Sequence, residues 1–180
     1  MASKANGAGR HVPWRLLGWG AAGALLLLPL IAGAPWTLSD YIFAGAIFTI
    51  VGGTFELAAR RNGNKWYRGG VAVALATAFL LVWINGAVGI IGSADNPANL
   101  MFIGVIAIAI AGAISARFEA PGMARAMVAA AAAQMLVGVI ALTYGLGATE
   151  PPFFPGVPIL IGSFALMWLL SAYLFRKAAK

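Results

Sequence analysis

The chain has no cysteine, one histidine (His11) and very little charge: 9% of its 180 residues are Asp, Glu, Lys or Arg. Without cysteine there is no disulfide framework, no thiol nucleophile and no thiolate metal ligand. A single imidazole makes no metal centre, and no catalytic, cofactor-binding or metal-binding residue is assigned. The acids number five, and the sequence carries no Walker-type phosphate loop, no nucleophile-elbow pattern and no pair of carboxylates within one layer. Scarcity of charge is matched by an excess of apolar residues, 62% of the chain, where a soluble domain holds about 45–50%. The solvent expected for such a chain is a bilayer, which admits helices or a closed barrel. Barrel strands alternate apolar and polar positions, whereas Val71 to Gly92 and Leu100 to Ala116 run with few polar residues. The fold class expected is therefore all-α, a polytopic transmembrane helical bundle.

Apolar runs bounded by charge, Pro or Gly fall at Trp14 to Ala34, Ser39 to Ala59, Gly69 to Gly92, Pro97 to Ala116, Gly122 to Gly145 and Val157 to Phe175. Six spans follow, within a domain covering 14–176, flanked by a disordered basic tail over 1–13 and a short basic tail over 177–180. The formal charge of +7 suits nucleic acid in principle, but its placement argues otherwise. Basic residues precede the first run, lie between the second and third (Arg60, Arg61, Lys65, Arg68), flank the turn between the fourth and fifth (Arg117, Arg125) and follow the sixth. The other three loops hold none and carry Asp40, Asp95 and Glu150. Under the positive-inside rule both termini are cytoplasmic and three hairpins face outward. A competing reading takes Leu16 to Ile31 as the apolar core of a signal peptide cleaved near Ala32 to Ala34, which leaves five spans.

Thr37 or Ser39 is expected to cap the second span, Asn96 with Pro97 the fourth, and Pro158 to open the sixth. At an offset of 57 residues Arg60 matches Arg117, Arg68 matches Arg125, Val71 matches Val128, Val82 matches Val139, and the Ser39 cap matches Asn96. The pattern is that of two parallel hairpin repeats.

The candidate functional residues are few. Asn85, Gln134, Thr143 and Tyr144 are the polar groups a pore or ligand would use inside the membrane; for Asn85 an interhelical hydrogen bond is the plainer role. Asn85 and Gln134 are placed about 12 Å apart in depth from the helical rise. Thr77, Ser115, Ser163 and Ser171 can bond their own backbone. Glu56 precedes Arg60 by four residues, an interfacial ion pair in the favoured order, with proton handling as the sharper alternative. Asp95, Asn96 and Asn99 form an outer-loop polar cluster, read as a turn and a cap. Gly86, Gly89 and Gly92 make a small-residue face for helix packing. Trp14, Trp36, Trp66 and Tyr67, with Phe153 and Phe154 of the Pro-rich outer loop, read as interfacial anchors.

Through "FELAARRNGNKWYRGG", Phe55 to Gly70, and "WINGAVGIIGSADNPANLMF", Trp83 to Phe102, the chain resembles small polytopic bacterial inner-membrane proteins of uncharacterised role. The likeness covers Tyr41 to Ala126, and the family pattern often has Glu where this chain has Ala94. The resemblance implies a bacterial cytoplasmic membrane and transfers no activity. The function expected is a non-enzymatic helical subunit or scaffold that packs with itself or with a larger membrane complex, its partners being the lipid bilayer and a membrane protein, with no nucleic acid and no cofactor. The rivals are a small permease or channel for a neutral solute, and a membrane-embedded enzyme using Glu56, Asp95 or Glu150.

Overall fold

A computed structural model describes residues 14–147 and 156–180. The expected N-terminal tail over 1–13, His11, Glu150, Phe153 and Phe154 lie outside the described residues. Within them the chain is all-helical: α1 Trp14–Ile31, α2 Leu38–Arg61, α3 Lys65–Ala87, a 3₁₀ turn at Pro97–Leu100 continued as α4 Met101–Ser115, α5 Ala120–Thr143 and α6 Val157–Ala178. Five of these segments, all but α1, are long and apolar enough to cross a membrane. The apolar part of α1, with Pro29 inside it, is shorter.

Two compact units divide at Gly52. In the first, the backbone at Gly52 meets the Trp19 ring, which would lie 3.0 Å from an added Cβ, and Gly45 faces Leu26. The start of α2 is held by a capping arrangement: Thr37 donates through its N–H and its hydroxyl to Asp40 Oδ2, both at 2.7 Å. Asp40 is the third residue of the helix, so its carboxylate also meets the positive end of the helix dipole.

The second unit, Gly53–Lys180, contains α3 to α6. Helix α3 runs antiparallel to α6, since Gly69 faces Leu174, Gly70 faces Phe175, and Asn64 Nδ2 reaches the Ala178 carbonyl at 3.4 Å. Helices α4 and α5 are antiparallel too: a Cβ on Gly112 would fall 2.6 Å from that of Ala126, and one on Gly122 would fall 2.5 Å from that of Ala116. These backbones approach because no side chain stands between them. Tyr67 Oη donates to the Phe118 carbonyl at 2.7 Å, joining the start of α3 to the turn before α5. At the other end Gly147, after α5, packs on the backbone at Gly92, after α3. Helices α3 and α5 are thus parallel, and α6 opposes both.

The core between these helices holds Leu81, Phe102, Val105, Ile161, Trp168 and Phe175, all fully buried. Leucine and isoleucine at Ile103, Ile110, Leu136, Leu142 and Leu166 are exposed instead. An apolar exterior around an apolar interior is what a lipid solvent permits.

Several boundaries differ from the sequence-based expectation. Helix α3 begins at Lys65 rather than Gly69, because Asn64 caps it by accepting from Trp66 N at 2.8 Å. It ends at Ala87 rather than Gly92, so Gly86, Gly89 and Gly92 do not share a helical face. Gly89 and Gly92 have φ of 78° and 66°, left-handed values that build a loop. Residue Lys177 belongs to α6, which continues to Ala178, so the first half of the short tail expected over 177–180 is helix. Tyr67, read as an interfacial anchor, is buried against Phe175 with ring centroids 5.2 Å apart. The 57-residue offset carries the helix order from α2–α3 to α4–α5, but not the environment: Val71 is buried while Val128 is exposed.

Candidate functional site

Asn99 organises the non-helical segment between α3 and α4. Its Oδ1 accepts from Ile90 N at 3.1 Å and Ile91 N at 2.9 Å, while its Nδ2 donates to Ile91 O at 3.3 Å and Ser93 O at 2.8 Å. Both lone pairs and both N–H bonds of the amide are used. Asn99 is 7% exposed, and Ile90 and Ile91 are buried. An irregular backbone packed among apolar helices needs internal partners for its polar groups, and one carboxamide supplies four of them. Asn96 accepts from Ala98 N at 3.0 Å and caps the 3₁₀ turn, with Pro97 following it. Asp95 is exposed beside it. The cluster Asp95, Asn96 and Asn99 is therefore a turn, a cap and a clamp within five residues.

The intramembrane candidates are not brought together. Asn85 Nδ2 donates to the Leu81 carbonyl on its own helix at 2.7 Å, and its buried Oδ1 has no partner. Gln134 is fully buried on α5 with neither amide atom partnered. Thr143 bonds the carbonyls of Val139 and Ile140 on its own helix, and Tyr144 is 78% exposed. With Ser171 Oγ donating to Gly70 O at 2.8 Å, Asn85 lies level with the start of α6. Gly138, in contact with Ile161, sets Gln134 one turn below that contact, level with Ala165 and about two turns below the start of α6. From the rise per residue, roughly 13 Å of depth separates Asn85 from Gln134.

Arg60 Nη2 lies 2.6 Å from Glu56 Oε1, four residues apart on α2. Arg68, at the start of α3, donates from Nη2 to Ala59 O at 2.6 Å and from Nε to Asn62 O at 3.0 Å. It thereby satisfies two carbonyls at the end of α2, where a cation is also favoured by the dipole. Lys177 Nζ sits over the Trp66 ring at 4.6 Å and the Tyr173 ring at 5.0 Å. Glu56 and Asp95 stand at opposite ends of α3 and do not form a carboxylate pair.

Sequence reasoning missed Trp168, fully buried on α6 with an unpartnered indole N–H. A signal was present: the residue stands in the middle of an apolar span, where tryptophan is uncommon, and not at its end. Asn99 was legible only as part of a polar turn, since its partners lie six to nine positions away, and Asn64, whose amide reaches Ala178 O 114 positions on, was not singled out. Comparison of the chain with family models, with curated proteins and with solved structures finds no match in any of the three.

Proposed function

We propose that this chain is a non-enzymatic helical subunit of the bacterial cytoplasmic membrane, with both termini cytoplasmic, that packs with itself or with a larger membrane complex. The observation that carries this reading is the contrast between a filled interior and open small-residue positions. Bulky side chains occupy the space between α3, α4, α5 and α6, whereas a Cβ added at Gly86, Gly104 or Gly162 would meet nothing within 4 Å. In lipid, helices associate through close van der Waals approach, for which such positions are suited. The permease reading is weaker because Asn85, Gln134, Thr143 and Tyr144 do not converge on one path. The absence of a native cysteine makes the test direct. Single cysteines at Gly86, Gly104 and Gly162, oxidised in native membranes, are expected to give a cross-linked species from at least one position and none from exposed Leu136. Monomer at every position, together with solute uptake lost in a deletion strain, would replace this reading by the permease.

A further inference from the structure

Three polar side chains lie buried inside the second unit at nearly one depth. Gln134 on α5 and Thr77 on α3 are 0% exposed, and Trp168 on α6 is 1% exposed. The helix register brings them within about one turn of each other. Gly138 meets Ile161, so Gln134, one turn earlier on α5, lies level with Ala165, one turn later on antiparallel α6. Ser171 bonds Gly70, so Thr77, seven residues further along α3, lies level with Phe164. Trp168 is a single turn below both, on the helix that α3 and α5 flank. Thr77 donates to Val73 O at 2.7 Å and keeps an accepting lone pair. The Trp168 indole N–H and both amide atoms of Gln134 are unpartnered.

Such groups are costly to bury without partners, more so in a protein surrounded by hydrocarbon, where water does not reach them from the side. Their hydrogen-bonding capacity defines what would complete them. The indole N–H and the carboxamide NH₂ call for an acceptor; the carboxamide oxygen and the Thr77 hydroxyl oxygen call for a donor. No Asp, Glu, Lys, Arg or His is among the buried residues described, so a charged ligand would find no counter-charge. Among the buried neighbours within a turn or two on α5 and α6, Ala130, Ala131, Ala165 and Ala172 are small, whereas Met127, Ile161 and Phe164 are large. We propose that Gln134, Trp168 and Thr77 form a buried site for a small uncharged molecule that both donates and accepts hydrogen bonds, of the size of water. Such a molecule links α3, α5 and α6 at mid-depth, where the remaining contacts are apolar.

The test uses the full chain, ¹⁵N-labelled at tryptophan indoles and reconstituted in nanodiscs, with the Trp168 resonance assigned from Trp168→Phe. Water is the probe. The Trp168 indole proton is expected to show a cross-peak to a bound water proton or to another non-protein proton of a co-purified neutral solute. Gln134→Met, which keeps the volume and removes the amide, should shift the Trp168 resonance and diminish that cross-peak. A wild-type spectrum in which the indole proton sees only the Gln134 side-chain protons would overturn the proposal, because the two residues would then satisfy each other. So would an indole proton with no partner at all. The wild-type spectrum decides even where the variant fails to fold, and it is independent of whether the chain forms a complex.

Discussion

Replacing Asn99 by alanine removes one side chain and, with it, one hydrogen bond from each of four backbone groups. The Ser93 carbonyl keeps the bond it accepts from Asn96 N at 3.1 Å, so losing the one from Asn99 costs little. The N–H groups of Ile90 and Ile91 have no such recourse, since both residues are buried, Ile91 completely. A buried donor left without its acceptor costs about 1–3 kcal/mol. Two of them, reduced for partial relaxation of a loop, give an expected loss of roughly 2–4 kcal/mol. The companion substitution Asn96→Ala removes a single cap bond to Ala98 N from a half-buried position, and is expected to cost about 1 kcal/mol.

Reversible unfolding in mixed micelles, followed by tryptophan fluorescence, measures both losses against wild type. Hydrogen exchange at Ile90 and Ile91 identifies the cause: their amides should lose protection in Asn99→Ala and keep it in Asn96→Ala. An Asn99→Ala protein within about 0.5 kcal/mol of wild type, the usual range for an inconsequential surface change, with both amides still protected, would refute the clamp.

Close backbone approach gives further expectations. Gly70→Ala places a methyl 3.1 Å from the Phe175 ring, which is itself wedged beside Tyr67; overpacking of about 1–3 kcal/mol is expected from the same unfolding assay. Gly112→Val should cost at least as much, because its first carbon already falls 2.6 Å from Ala126 Cβ. Arg68→Lys should recover little of the loss in Arg68→Ala, since a single ammonium does not reproduce the fork that reaches Ala59 O and Asn62 O. Asp95→Cys should react with an impermeant maleimide on intact cells and Lys180→Cys only after permeabilisation; the reverse order would invert the proposed orientation.

How much of this was legible beforehand follows from the range of each interaction. Helix existence was read well, because a long apolar run needs only local composition. The end of α3 was misplaced by five residues because "GAVGIIGS" is as apolar as the helix before it. What stops the helix is the left-handed backbone at Gly89, closed over by Ser93, together with the clamp from Asn99. Glu56 with Arg60 was accessible from spacing alone, as a four-residue interval on a helix fixes the neighbour. Gln134 could be placed in depth but not in company, since the helices that pack against α5 are α4 and α6, whose pairing is not written in local sequence. Trp168 was hidden by being counted as apolar.

These cases share one physical rule, and it separates the two ends of the second unit from its middle. At the ends, where chain reversals free backbone groups, side chains from other segments take them up: Asn99 on Ile90 and Ile91, Arg68 on Ala59 and Asn62, Asn64 on Ala178, Tyr67 on Phe118. In the middle the helical backbones satisfy themselves, so a polar side chain there answers no backbone need. Thr77 meets its own helix and Ser171 bridges to α3, which accounts for two of the three such groups on these helices besides Trp168. Gln134 is the third and is met by nothing. An exchange of Gln134 for leucine in a purely structural core would be neutral or stabilising, because it removes an unsatisfied amide at nearly constant volume. If the amide serves a bound molecule, the same exchange leaves the Trp168 indole alone in an apolar interior and the protein becomes less stable. The sign of that one change, read in the unfolding assay, distinguishes a tolerated defect from a used site.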